Sequence, residues 1–201
     1  MKTKTIITAV LLCFFVFVNA QEKKLPNKEE TEEYLTKMIE AGRGGEYVSG
    51  DSNYVTKVTT KYSNSYELGY VRYLVGEETG YCNNNGMYQS TETYDKFNSY
   101  SKMDFNKLMN VEQKSKSVSN ATALQVKVTF NGDFIDLTTS YEKKSSGSCY
   151  LKDEKNKVNY VFYYIPNEEG SFDRFKKALF HYKDLLIAEQ KQKIADDPFA
   201  N

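Results

Sequence analysis

The sequence predicts an α+β domain: an antiparallel curled sheet or small barrel of about seven strands, preceded by an extra N-terminal helix and capped by a C-terminal helix. Three observations carry this. Phe172, Phe175, Leu179, Tyr182 and Leu186 recur at steps of three and four, with Ala178 and Leu185 widening the stripe, so residues 170–193 form one helix with one apolar face. The chain ahead of it alternates polar with β-branched or aromatic residues in short runs separated by Gly, Asn and Ser. Asn27 followed by Glu30 makes a capping box in front of Thr31, Tyr34, Leu35, Met38 and Ile39, which line one side of a first helix ending at Gly42.

The segment before that helix reads as an export signal. Lys2 and Lys4 open it, Ile6 to Val18 is mostly apolar, and Val18-Asn19-Ala20 supplies a cleavage site, so the mature chain is expected to start at Gln21. Residues 21–26 are then a polar lead-in, 27–193 a single domain and 194–201 a tail. Removing 1–20 leaves 25 basic against 27 acidic residues, a net charge of −2 with His181 neutral. No strong positive field remains for nucleic acid, and nothing after residue 20 is apolar enough to span a bilayer.

Along the strand region, Tyr54 to Tyr62 alternates as a strand with one wet face, and Ser63-Asn64-Ser65 is a turn. Tyr66 to Val75 is a second strand, Gly76 to Gly80 a second turn, and Tyr81 opens a third strand interrupted at Asn83-Asn84-Asn85-Gly86. Met87 to Phe97 is its own strand, and Met103 to Gln113 fits strand and helix equally. Leu124 to Phe130 and Phe134 to Tyr141 flank Asn131-Gly132, which reads as a tight hairpin. Cys149 to Leu151 is a short edge segment and Val158 to Ile165 an aromatic last strand closed by Pro166. Ser171 is expected to cap the final helix.

With these elements in order, the chain resembles the pleckstrin-homology-like superfold. It also resembles uncharacterised secreted bacterial proteins through the segment Asn27-Lys28-Glu29-Glu30-Thr31-Glu32-Glu33-Tyr34-Leu35, the last strand into Pro166, and Arg174-Phe175-Lys176-Lys177-Ala178-Leu179-Phe180-His181-Tyr182. The resemblance implies seven strands in two sheets with a helix plugging one corner, and implies no activity. The basic cluster with which members of that superfold bind phosphoinositides is incomplete here: Lys57 and Lys61 precede only Arg72.

No catalytic, cofactor-binding or metal-binding residues are assigned. His181, the single histidine, lies near Asp184 and Lys177 on a helix flank, where residues three apart meet by periodicity alone. Asp51, Asp133, Asp136, Asp196 and Asp197 do not make a calcium loop. Cys82 and Cys149 remain after signal removal; one disulfide is the simplest reading, worth roughly 4 kcal/mol in chain-entropy terms, and two separate thiols are the other.

The 17 tyrosines suggest either an aromatic core or a surface that stacks on sugars or peptides, and the strand positions favour the core for most. Phe180 and Ile187 lie off the main stripe of the final helix. They are expected to be covered by Tyr34, Leu35, Met38 and Ile39, or to form with them an interaction patch. The expected function is a non-catalytic, exported binding or interaction module of the periplasm, envelope or exterior, its partner a protein or glycan there. A small hydrolase of envelope polymers or glycans is the alternative.

Overall fold

The computed structural model describes residues 25–49, 55–57, 68–84, 88–116, 121–144 and 151–196, with the backbone alone for residues 49, 55–57, 76–84 and 88–91. The fold is α+β, with helix α1 (Lys28–Ala41) before the antiparallel strands in the chain and helix α2 (Ser171–Ala195) after them. The export signal, the turn at 63–65, Asp51, Asp197 and Cys149 lie outside the described residues, as does the side chain of Cys82, so the expected disulfide does too. No helix among the described residues is long and apolar enough to cross a membrane.

Helix α1 starts as its sequence dictates. The Asn27 side chain accepts the Glu30 N–H at 2.9 Å, and the Glu30 carboxylate accepts the Asn27 N–H at 2.8 Å, so two otherwise orphaned donors are satisfied. Thr31, Leu35, Met38 and Ile39 then turn into the core.

The strands form three sheets. β3 (Tyr70–Asn84) and β4 (Tyr88–Ser101) make one long hairpin, joined through β4 by β8 (Ile135–Lys143) and then β9 (Glu154–Val158). β7 (Ala123–Phe130) is the centre of a second sheet between β10 (Tyr160–Pro166) and β5 (Leu108–Gln113). β1 (Glu46–Ser49) lies between β2 (Val55–Lys57) and β6 (Ser115–Lys116) in a third.

Two turns expected from the sequence are corrected here. β3 runs straight through Gly76–Gly80, and the glycine marks a register shift between Leu74 and Gly76. A glycine inside a strand signals a bulge as readily as a turn. At Asn131-Gly132 the chain does not form a hairpin: β7 pairs with β5 and β10, whereas β8 pairs with β4 and β9. The segment is a corner between sheets. Phe130 N–H donates to the Asn159 carbonyl at 2.7 Å and Asn131 N–H to the Lys107 carbonyl at 2.8 Å, which takes up the donors a hairpin partner would have used. Gly132, at φ 94°, still supplies the positive backbone angle. Met103 to Gln113 resolves into a short 3-10 turn at Phe105–Lys107 followed by β5.

The core runs as one cluster from Leu35, Met38 and Ile39 of α1 through Val126, Val128, Val161, Tyr163 and Ile165 to Phe175, Leu179 and Tyr182 of α2. The Phe175 ring stands edge-on to Tyr163 at 5.9 Å, and Tyr182 edge-on to Phe105 at 5.6 Å. Ser171 is not the helix cap. Gly170, at φ 69°, holds that position without a side-chain bond, and Ser171 is buried as the first helical residue, its hydroxyl accepting from Arg174 at 3.2 Å. The left-handed angle favours glycine there.

Candidate functional site

Along β10 the odd positions Val161, Tyr163 and Ile165 are buried in the core, so the even positions Tyr160, Phe162 and Tyr164 share the opposite face. All three are half-buried. The ladder sets Phe162 opposite Lys127 and Tyr164 opposite Gln125 on β7, and Lys127 in turn opposite Glu112 on β5. Side chains two apart on a strand stand about 7 Å from each other, so the face carries a row of rings beside a row of polar groups.

The two ends of this row differ. At the Tyr164 end the structure is tied down: Gln125 Nε2 donates to the Tyr164 hydroxyl at 3.1 Å and the Tyr47 hydroxyl at 3.3 Å, and the Tyr47 and Tyr73 rings pack on Tyr164 at 5.1 and 4.9 Å. Burial, with Tyr47 beside it, pushes the Tyr164 hydroxyl above its ordinary pKa. At the other end Tyr160 and Phe162 meet edge to face at 5.4 Å, and the Lys127 ammonium lies 4.7 Å from the centre of the Tyr160 ring. Phe162 is outside the core cluster.

The expected patch of six residues divides. Leu35, Met38 and Ile39 are buried in the core, Tyr34 is exposed, and Phe180 and Ile187 are half-buried. The named contacts from the N-terminal end of α1 to α2 join Pro26 to His181, Glu32 to Tyr182 and Lys28 to Glu189. At about 100° per residue Tyr182 and Glu189 share one flank, Phe180 and Ile187 lie about 140–180° from both, and His181 falls between the two groups. On that second flank Lys183 donates to the Leu108 carbonyl at 2.7 Å, bringing it toward β5.

Between the helix ends opens a cleft of about 650 Å³ lined by Asn27, Lys28, Glu29, Glu32, Leu185 and Glu189. Lys193 and Lys28 hold the Glu189 carboxyl down at about 2, and burial with the nearby Glu32 pushes the Tyr182 hydroxyl up to about 12. His181 Nε2 donates to the Pro26 carbonyl at 2.7 Å, which places a proton on that nitrogen and leaves Nδ1 as the only acceptor of the ring. Among the described residues, no three His, Cys, Asp or Glu side chains gather as metal ligands.

Sequence reasoning did not single out Gln125, Lys127 or Phe162. Residues 160–165 are apolar or aromatic at both parities, so alternation could not say which face of β10 was the core. The signal present was the polar parity of β7: Gln125, Lys127 and Thr129 alternate with Leu124, Val126 and Val128, and pairing transfers that parity to β10. Compared with known proteins, the chain matches no family model, no curated protein and no solved structure.

Proposed function

We propose that the chain is a non-catalytic binding or interaction module, exported to the cell envelope or exterior, whose ligand surface is the Tyr160–Phe162–Lys127 end of the β7–β10 face. What supports it most is that Phe162, a large aromatic ring, stays half-buried outside the core beside a charged and an aromatic neighbour. Tyr94, Tyr100 and Tyr163 are almost fully buried, whereas Tyr160, Phe162 and Lys127 each keep part of their surface accessible. The test is a glycan and peptide array probed with residues 21–201 and with Phe162→Ala. Signals lost in a variant that melts normally support the surface, and identical arrays for both proteins reject it.

For the fold family, the proposal is the pleckstrin-homology-like superfold, supported by an amphipathic C-terminal helix seated against antiparallel strands directly after the last strand. The pairing of β4 with β8 is a departure from simple strand succession. An experimental structure showing one closed barrel would favour the superfold; three sheets that stay separate would rule it out.

A second reading, a small hydrolase, draws on the Glu29, Glu32 and Glu189 carboxylates around the cleft. Glycan hydrolysis needs a carboxyl kept protonated near neutral pH, and Glu189 is held the opposite way by its two lysines. Release of reducing sugar from envelope glycan by the wild type, and its loss in Glu32→Gln, would favour this reading over the binding module.

A further inference from the structure

We propose that the β7–β10 face recognises an acidic oligosaccharide, the Lys127 ammonium meeting a sugar carboxylate while the Phe162 and Tyr160 rings take the apolar face of the sugar. This rests on reading that face as the ligand surface.

The charge on the face has been left unspent. Other lysines are paired: Lys102 and Lys157 both reach Asp136, and Lys114, just after β5, reaches Glu112 at 2.7 Å. Lys127 makes no ion pair within 4 Å among the described residues, and its contact is the Tyr160 ring. Glu112, its neighbour across the ladder, is committed to Lys114 and to the Asn110 amide at 2.7 Å, and feels Lys127 only at longer range. Lys127 is half-buried as a residue, and its contact with the Tyr160 ring holds the ammonium on this face, where an incoming anion can reach it as an ion pair.

The number and type of groups narrow the anion. One lysine and no arginine suits a singly charged carboxylate; a phosphate would call for several charges or a bidentate fork. The Phe162 ring narrows the rest. Phe162, half-buried and outside the core cluster, is set edge to face with Tyr160 at 65°, and the face of a single such ring is enough for the C–H face of a saturated ring to lie on. Beside it stand the hydroxyls of Tyr160 and Thr129, paired across the ladder two residues along from Phe162 and Lys127 and suited to sugar hydroxyls. An acidic peptide would bring the charge without the flat ring, and a neutral glycan the ring without a use for Lys127.

The experiment is calorimetric titration of residues 21–201 with three probes: an oligogalacturonate, the same oligomer with its carboxyls reduced to alcohols, and poly-glutamate. The expected result is that the oligogalacturonate binds about tenfold or more tighter than the reduced oligomer, since a charge-assisted bond is worth about 1.5–3 kcal/mol. Lys127→Gln should erase that difference, and Phe162→Ala should weaken both sugars, each variant melting as the wild type does. Equal binding of both oligomers, unchanged in Lys127→Gln, overturns the carboxylate and leaves the ring surface standing. Poly-glutamate binding as tightly as the sugar overturns the sugar. No binding of any probe overturns this inference, while the array comparison with Phe162→Ala decides the ligand surface separately.

Discussion

Gly42 lies so close to Tyr164 that a Cβ on it would sit 2.2 Å from the Tyr164 carbonyl oxygen and 2.7 Å from the Ile165 Cα. The first helix therefore ends hard against the backbone of β10, the strand whose outer face carries the proposed ligand surface. Its φ of −79° is open to any residue, so the glycine is needed for space alone. Gly42→Ala must push α1 off β10 and should cost about 1–3 kcal/mol, the usual penalty of overpacking. Urea denaturation measures it; a loss within experimental error would mean that α1 docks more loosely than the close approach requires.

Leu179 is wholly buried between α2 and the sheet. Leu179→Ala should cost about 2–5 kcal/mol by leaving a cavity. Leu186, half-buried further along the same helix, should cost clearly less on the same change. Equal effects at the two positions would show that the apolar stripe is buried more evenly than the structure places it.

Tyr163 contributes a hydroxyl to an otherwise apolar centre, donating to the Leu68 carbonyl at 3.1 Å with the Met103 sulfur at 3.3 Å. Burial raises its pKa, so it stays protonated as the donor. Tyr163→Phe leaves the Leu68 carbonyl without this donor and should cost about 1–3 kcal/mol. A thermal melt unchanged by the substitution would show that Leu68 finds another donor.

What the sequence made legible was local. The Asn27–Glu30 capping box and the Phe175–Leu179–Tyr182 stripe are decided within one or two helical turns, so residue spacing alone predicts them. The corners at Asn131-Gly132 and Asn159 are decided by which distant strand each arm meets, and alternation reads the same whichever partner is chosen. For the same reason the face of β10 that holds Phe162 stayed hidden. Which face becomes the core depends on what packs on β10, and α1, whose Leu35, Met38 and Ile39 join Val161, Tyr163 and Ile165, comes from more than a hundred residues earlier in the chain.

Asp136 sits between Lys157 and Lys102, which hold its carboxyl at about 2, with Lys157 the stronger influence. A carboxyl depressed in the folded state adds stability above its unfolded pKa, about 3.9, and loses it as pH falls through the folded value. Stability should therefore drop between about pH 4 and 2. Asp136→Asn should flatten that part of the urea midpoint-versus-pH curve. A curve as steep in the variant as in the wild type would assign the acid loss to other carboxylates, Glu189 first among them because it too is held at about 2.

The two flanks of α2 should behave as separate contacts. Helix α1 reaches α2 at Tyr182 and Glu189, and Phe180 lies about 160–180° round the helix from both, on the side where Lys183 bonds to Leu108. Met38 is buried within the core on the α1 side. If α1 does not cover Phe180, the costs of Met38→Ala and Phe180→Ala should add to within about 0.3–0.5 kcal/mol in the double variant, as for residues without shared partners. A control is the Phe105–Tyr182 ring pair at 5.6 Å, where Phe105→Leu and Tyr182→Leu should couple by about 0.5–1.5 kcal/mol beyond lost area. Coupling between Met38 and Phe180 as large as in the control would put α1 over Phe180 after all, and the six-residue patch would then be one contact surface instead of two.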